Sequence, residues 1–249
     1  MKLPTHILPL DASPLGVTLW LVSLDVDVTA RDLAMLSATE RERAARFRFE
    51  RDAQRYRASH AALRRILAHA LGLADPAQIG YERHAHGKPQ LASHPLHFNM
   101  SHSGDWALIG ISATHAMGVD LEVQIAGRPM PDTADLALQQ FTEAEYAAFL
   151  SIPIDQREAA FLRGWTRKEA CLKAVGHGLL IEPRSFEAGI GPAHRTTTLA
   201  SPQGLHQVEV ISLAWPTQAA GRDATQAAVA RLDQRATLRK APGPKGCKE

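Results

Sequence analysis

Two carboxylates one residue apart, Asp120 and Glu122 in Gly118-Val119-Asp120-Leu121-Glu122, stand upstream of the run Trp165-Thr166-Arg167-Lys168-Glu169-Ala170-Cys171-Leu172-Lys173-Ala174-Val175-Gly176-His177-Gly178-Leu179. Asp120, Glu122 and Glu169 supply hard oxygen donors, and two lysines supply positive charge. Such a set suits a divalent cation like Mg2+, which takes one or two carboxylates and fills its remaining positions with water and substrate phosphates. The pattern therefore points to a phosphorylated ligand. Soft-metal chemistry finds no support: the chain has two cysteines, Cys171 and Cys247, with no paired spacing for zinc or a disulfide framework. A reducing compartment is expected.

The elements that must position these groups follow from periodicity. Val119, Leu121 and Val123 alternate with Asp120 and Glu122, which predicts a strand with both carboxylates on one face. From about Gln156 to Ala174, the spacing of Ala160, Phe161, Trp165, Leu172 and Val175 predicts a helix stopped by Gly176 and Gly178. Glu169 and Lys173 lie four residues apart and share a face, with Trp165 one turn earlier as packing support. Either motif alone is more often the solvated face of an edge strand or an ordinary surface pair. Their combination is what carries weight.

Both motifs resemble the signatures of the 4'-phosphopantetheinyl transferases, specifically the long, two-lobed Sfp type. A third block agrees: Gly87-Lys88-Pro89 followed by Phe98-Asn99-Met100-Ser101-His102-Ser103-Gly104. The resemblance runs from about Leu36 to Ser212. It implies an α+β fold of two pseudo-symmetric lobes, each an antiparallel sheet packed with helices, with the active site between them. It also implies a reaction, in which the 4'-phosphopantetheine arm of coenzyme A passes to a serine hydroxyl of an apo acyl or peptidyl carrier protein, releasing adenosine 3',5'-bisphosphate.

By the same resemblance, Asp120, Glu122 and Glu169 hold Mg2+, and Lys173 neutralises a pyrophosphate oxygen. Glu169 is also the candidate general base, a role that competes with tight metal ligation, and His102 assists at the site. Arg43 and Arg55 grip the 3'-phosphate of coenzyme A, with Ser101 and His102 beside them, while Gly87, Lys88 and Pro89 follow the adenine and phosphates. Two positions depart from the family pattern. Glu40 stands where other members carry a lysine, and Tyr56 replaces a hydroxyl residue.

Arginine is concentrated locally. Ten arginines fall between Arg31 and Arg65 against five acids, although the whole chain carries a formal +2. Leu36, Ala44, Phe47, Ala58, Ala62, Leu63, Ile66 and Leu67 give this stretch a helical apolar stripe, with Ser37 as N-cap and Glu40 as its capping-box partner. Most of these arginines are expected to be solvated. Histidines at 84, 86, 94, 97 and 115 are interleaved with turn signals and are read as surface groups rather than a zinc site.

The 249 residues, 45% hydrophobic, suffice for one large or two smaller domains. The N-terminus shows no signal peptide and no apolar run spans a bilayer, so a cytoplasmic monomer without membrane association is expected. Too few aromatics accompany the arginines for a nucleic-acid platform. Strands are expected at 17–24, 97–102, 106–112, 117–123, 186–190, 208–214 and 227–232, with a hairpin at Ser103-Gly104-Asp105. Thr142 should cap a helix after a linker bearing Gly127, Pro129 and Pro131. The lobes are expected at 1–114, with the coenzyme contacts, and 115–235, with the metal and catalytic motifs, leaving a disordered tail at 236–249. The apolar segment from Ala134 to Leu150 is a candidate carrier-docking strip, with Phe141 and Phe149 assigned instead to the core.

Two other classes are compatible with these residues. One is another Mg2+-dependent nucleotide phosphotransferase, for which no Walker-type loop is present; the other is a non-catalytic coenzyme A or carrier-binding relative.

Overall fold

The computed structural model describes residues 2–10, 15–83, 87–93, 96–124, 130, 132–214 and 225–233. The expected linker glycine and prolines (127, 129, 131), His84, His86, His94 and the tail from 236 lie outside the described residues.

The chain opens with two antiparallel strands, β1 (Ile7–Leu10) and β2 (Thr18–Ser23). Three helices follow. Thr29 caps α1 (Ala30–Met35), and Ser37 caps α2 (Ala38–Ala45) in the expected reciprocal box with Glu40. The chain then breaks at Arg46 before resuming in α3 (Glu50–Leu71), so the expected stripe is carried by two helices. A short hairpin, β3 (Tyr81–Arg83) with β4 (Pro89–Leu91), leads to β5 (His97–Ser103) and β6 (Trp106–Ser112). Ser103 pairs with Trp106 across the expected tight turn. Ala58, Ala62, Leu63, Ile66 and Leu67 of α3 pack on Trp20, Val22, Phe98, Ile109 and Ile111, closing the first core over a sheet ordered β1-β2-β6-β5.

The second sheet, ordered β7-β10-β9-β8, draws on β7 (Met117–Val123), β8 (Arg195–Ser201), β9 (Gly204–Leu213) and β10 (Thr225–Leu232). Its connection runs through α4 (Thr133–Gln140), α5 (Glu143–Leu150), capped by Thr142 as expected, and α6 (Ile154–Val175). Helix α6 packs across β7, β10 and β9. Ala170, Cys171, Leu172 and Ala174 enter a core with Leu199, Val208, Val210 and Ala228. Each sheet is antiparallel throughout and is covered by one 22-residue helix. This is the α+β, two-lobed architecture anticipated. A third cluster joins the sheets: Leu19, Leu108, Met117, Val119, Leu121, Ala227 and Val229 pack together fully buried.

The strand expected at 186–190 does not form. Its backbone is satisfied by buried side chains instead: Arg167 Nε donates to Ala188 O at 2.7 Å, and Lys168 Nζ donates to Phe186 O at 2.6 Å and Pro183 O at 2.8 Å. Those carbonyls are thereby spent on cations rather than on a ladder. Phe141 and Phe149 are core residues, as expected, while Leu138 and Leu150 remain exposed. No helix among the described residues is long and apolar enough to cross a membrane.

Candidate functional site

Strand β7 and helix α6 touch at a glycine. A Cβ on Gly118 would lie 2.2 Å from the carbonyl oxygen of Ala170 and 2.5 Å from the amide of Ala174, so only glycine lets the strand lie directly on the helix. That contact brings residues remote in sequence together. Lys173 Nζ donates to Asp120 Oδ1 at 2.5 Å and to Ser101 Oγ at 3.2 Å, and Ser101 Oγ donates to the same carboxylate oxygen at 2.8 Å.

The edge strand β5 contributes three alternate polar side chains to β7. Asn99 Oδ1 accepts from the amide of Val119 at 2.8 Å, Ser101 bonds Asp120, and Ser103 Oγ donates to Glu122 Oε2 at 3.0 Å. Ser103 Oγ also accepts from the amide of Val123. Side chains, rather than a backbone ladder, therefore stitch the edges of the two sheets together at the site. The sequence reading missed Asn99 and Ser103, although the period-two polar pattern 99, 101, 103 was a usable signal.

The electrostatics are those of crowded acids. Burial, then the negative charge on Asp120, pushes the Glu122 carboxyl above its usual range against the opposing pull of Ser103 and Lys173. Burial raises Glu169 too; Lys173 opposes this and Asp120 adds to it. Asp120 itself is 3% exposed, and its Oδ2 is buried without a hydrogen-bond partner. Among the described residues no three His, Cys, Asp or Glu side chains are grouped closely enough to enclose a metal ion unaided. The donor chemistry nonetheless fits a hard cation: one orphaned carboxylate oxygen and two acids that resist ionisation would all be stabilised by it. Asp120, Glu122 and Glu169 are the residues that could hold such a cation.

Glu169 and Lys173 line a cleft of about 640 Å³ whose walls include Lys88, Pro89, Asn99, Gln140, Trp165 and Leu172. Trp165 thus borders the cleft, half-buried, as well as packing beneath α4 and α5. Lys88 reaches into the seam, where its Nζ donates to Met117 O at 2.8 Å and Lys173 O at 2.6 Å. Gly87 stands in the turn before it with φ +87°.

Arg43 and Arg55, anticipated for the 3'-phosphate, are not among the residues that line that cleft. Arg55 is committed to Asp105, with Nε at 2.9 Å from Oδ1, and Asp52 lies 3.8 Å away. Arg43 is exposed, sits 5.9 Å above the Tyr56 ring, and has no carboxylate within 4.0 Å among the described residues. Tyr56 in turn stacks on His60 at 3.8 Å. Burial pulls the His60 imidazole down to about 4 against the opposing effects of Glu40 and the Tyr56 carbonyl, with His102 and Arg43 adding smaller downward contributions. His102, on β5, is held below its ordinary value by desolvation, then by Lys173 and Arg55. Glu40, at the position where the sequence departs from the family pattern, turns inward: Arg64 Nε donates to its Oε2 at 2.8 Å in a pair removed from water.

Comparison with known proteins covers most of the chain. A family model described as the 4'-phosphopantetheinyl transferase superfamily matches residues 116–230, and one described as 4'-phosphopantetheinyl transferase, N-terminal, matches 27–114. The 4'-phosphopantetheinyl transferase HetI of Nostoc sp. is 40% identical over 169 residues, spanning 66% of this chain and 70% of that protein. The 4'-phosphopantetheinyl transferase Sfp of Bacillus subtilis is 28% identical over 66% of this chain and 70% of its own. The human L-aminoadipate-semialdehyde dehydrogenase-phosphopantetheinyl transferase is 32% identical over 61% of this chain and 52% of its own.

Proposed function

Because this chain belongs to the 4'-phosphopantetheinyl transferases, we propose that it transfers the 4'-phosphopantetheine arm of coenzyme A to a serine hydroxyl of an apo acyl or peptidyl carrier protein. The serine oxygen attacks the phosphorus nearer the pantetheine, the bridging P–O bond breaks, and adenosine 3',5'-bisphosphate leaves. The proton from the hydroxyl goes to Glu169, directly or through one water. Asp120, Glu122 and Glu169 would hold Mg2+, which would supply electrostatic stabilisation of the charge that builds on the pyrophosphate. Lys173 moves from Asp120 toward a pyrophosphate oxygen once that charge is present. Such a shift costs little because its side chain is 29% exposed.

We assign the coenzyme's nucleotide to residues 1–114, through the turn Gly87-Lys88-Pro89, Arg43 and His102, and the metal and chemistry to residues 115–235. Arg55 must surrender Asp105 before it can bind phosphate. One observation carries the proposal: Asp120, with one oxygen on Lys173 and the other buried and unbonded, sits where β5, β7 and α6 meet beside the cleft holding Glu169.

The test is to incubate the protein with coenzyme A, Mg2+ and an apo carrier, and to weigh the carrier by mass spectrometry. A gain of one phosphopantetheine is expected. Nucleotide cleavage with an unmodified carrier would assign the site to a phosphohydrolase, and binding of coenzyme A without either product would leave a non-catalytic relative.

A further inference from the structure

Among the described residues, Lys88 is the one lysine that crosses from the first lobe to bond two carbonyls of the second. Met117 O begins β7, three residues before Asp120, and Lys173 O belongs to the last turn of α6, whose final carbonyls have no partner within the helix. A single ammonium thus ties down the strand that presents Asp120 and the helix end that presents Lys173. The stem of Lys88 lies against Gly176, where a Cβ would stand 3.2 Å from its Cδ, and Gly176 ends α6 with φ +81°. A cation at a helix C-terminus is further favoured by the helix dipole. With two of its three N–H donors engaged by carbonyls, this group has one left to offer a phosphate.

Resting on the transfer reaction proposed above, we infer that Lys88 is a positioning residue: its side chain staples β7 to the end of α6 and so sets the Lys173–Asp120 pair, while only the backbone of its turn faces the coenzyme. Burial holds the Lys88 amine down to about 8, yet the neutral amine still carries two N–H donors, so the staple survives at either charge.

A double-mutant cycle tests this. Lys88→Met should lower kcat at saturating coenzyme A by about 10²-fold, the order expected when a reacting group is displaced by an ångström. In a Lys173→Met background the same change should lower kcat by less than about twofold, because the group it positions is already gone. A loss confined to KM for coenzyme A with kcat unchanged would make Lys88 a phosphate ligand and overturn the inference. An equal loss of kcat in both backgrounds would make it a general structural prop and overturn it too. Wild-type protein run in parallel keeps the two questions apart: no modified carrier from wild type sinks the transfer reaction, whereas active wild type with additive variants sinks the staple alone.

Discussion

Replacing Asp120 by asparagine keeps a hydrogen-bonding side chain against Ser101 but removes the charge that Lys173 bonds and that a divalent cation would share. Transfer should fall by about 10²-fold to 10³-fold, the usual loss when a charge-stabilising group is removed from a reacting centre. Stability should move by about 1 kcal/mol or less, since Lys173 is partly solvated and relief of repulsion with Glu122 offsets the lost pair. Carrier modification and thermal melting read the two effects separately; undiminished turnover in Asp120→Asn would refute the assignment of this acid. His60 makes a second residue-level prediction. Its folded-state value near 4 lies below the ordinary 6.5, so unfolded chains bind the proton more readily between those limits. Stability is therefore fully present above about 6.5 and is lost as pH falls toward 4. Urea titrations of His60→Gln should show a flatter decline across that interval than wild type.

At the level of elements, the pair Lys168–Glu145 fixes α5 and the 183–188 segment onto α6. The ammonium is fully buried and 2.7 Å from the carboxylate, which also caps Thr142 and accepts from Gly189. Glu145→Ala strands that buried charge, and equilibrium unfolding should report a loss of about 3–5 kcal/mol. Gly118→Ala forces β7 off α6 and should cost about 1–3 kcal/mol while also lowering transfer, because Asp120 moves with the strand. Much of this scale was legible in sequence: alternation located β7, helical spacing and Gly176 bounded α6, and the box Ser37–Glu40 and the cap Thr142 marked helix starts. Side chains with two uses were not. Glu40 read as a capping residue and Glu145 as one acid in a helix start, and nothing local announces that each also neutralises a buried cation supplied by another helix. The edge strand β8 escaped because Arg195 to Thr198 are polar and largely exposed, leaving no apolar alternation to detect. The 186–190 segment misled for the opposite reason, its apolar residues facing a core without pairing.

Across the whole molecule, the two sheets share a core. Leu19 and Leu108 from one lobe and Val119, Leu121 and Val229 from the other are covered by each other rather than by their own helices. Heating should therefore give one cooperative calorimetric transition rather than two. A fragment ending at residue 114 should lack fixed tertiary structure, visible as a lost near-ultraviolet dichroism signal, since Val17, Leu19 and Leu108 would face water. Two independent transitions, or a well-folded fragment, would show that the shared layer is dispensable.

Cys171 lies two positions along α6 from Glu169 but faces the opposite way, sealed in the second core with its thiol pushed up to about 12 by burial. Only a thiolate attacks disulfides or electrophiles, so this sulfur stays silent beside a co-substrate that ends in a sulfhydryl of its own. Mixed disulfides with oxidised coenzyme are thereby avoided where they would jam α6. The same seclusion makes Cys171 a clock: maleimide can reach it only while α6 has parted from its sheet, and the rate of alkylation counts those partings.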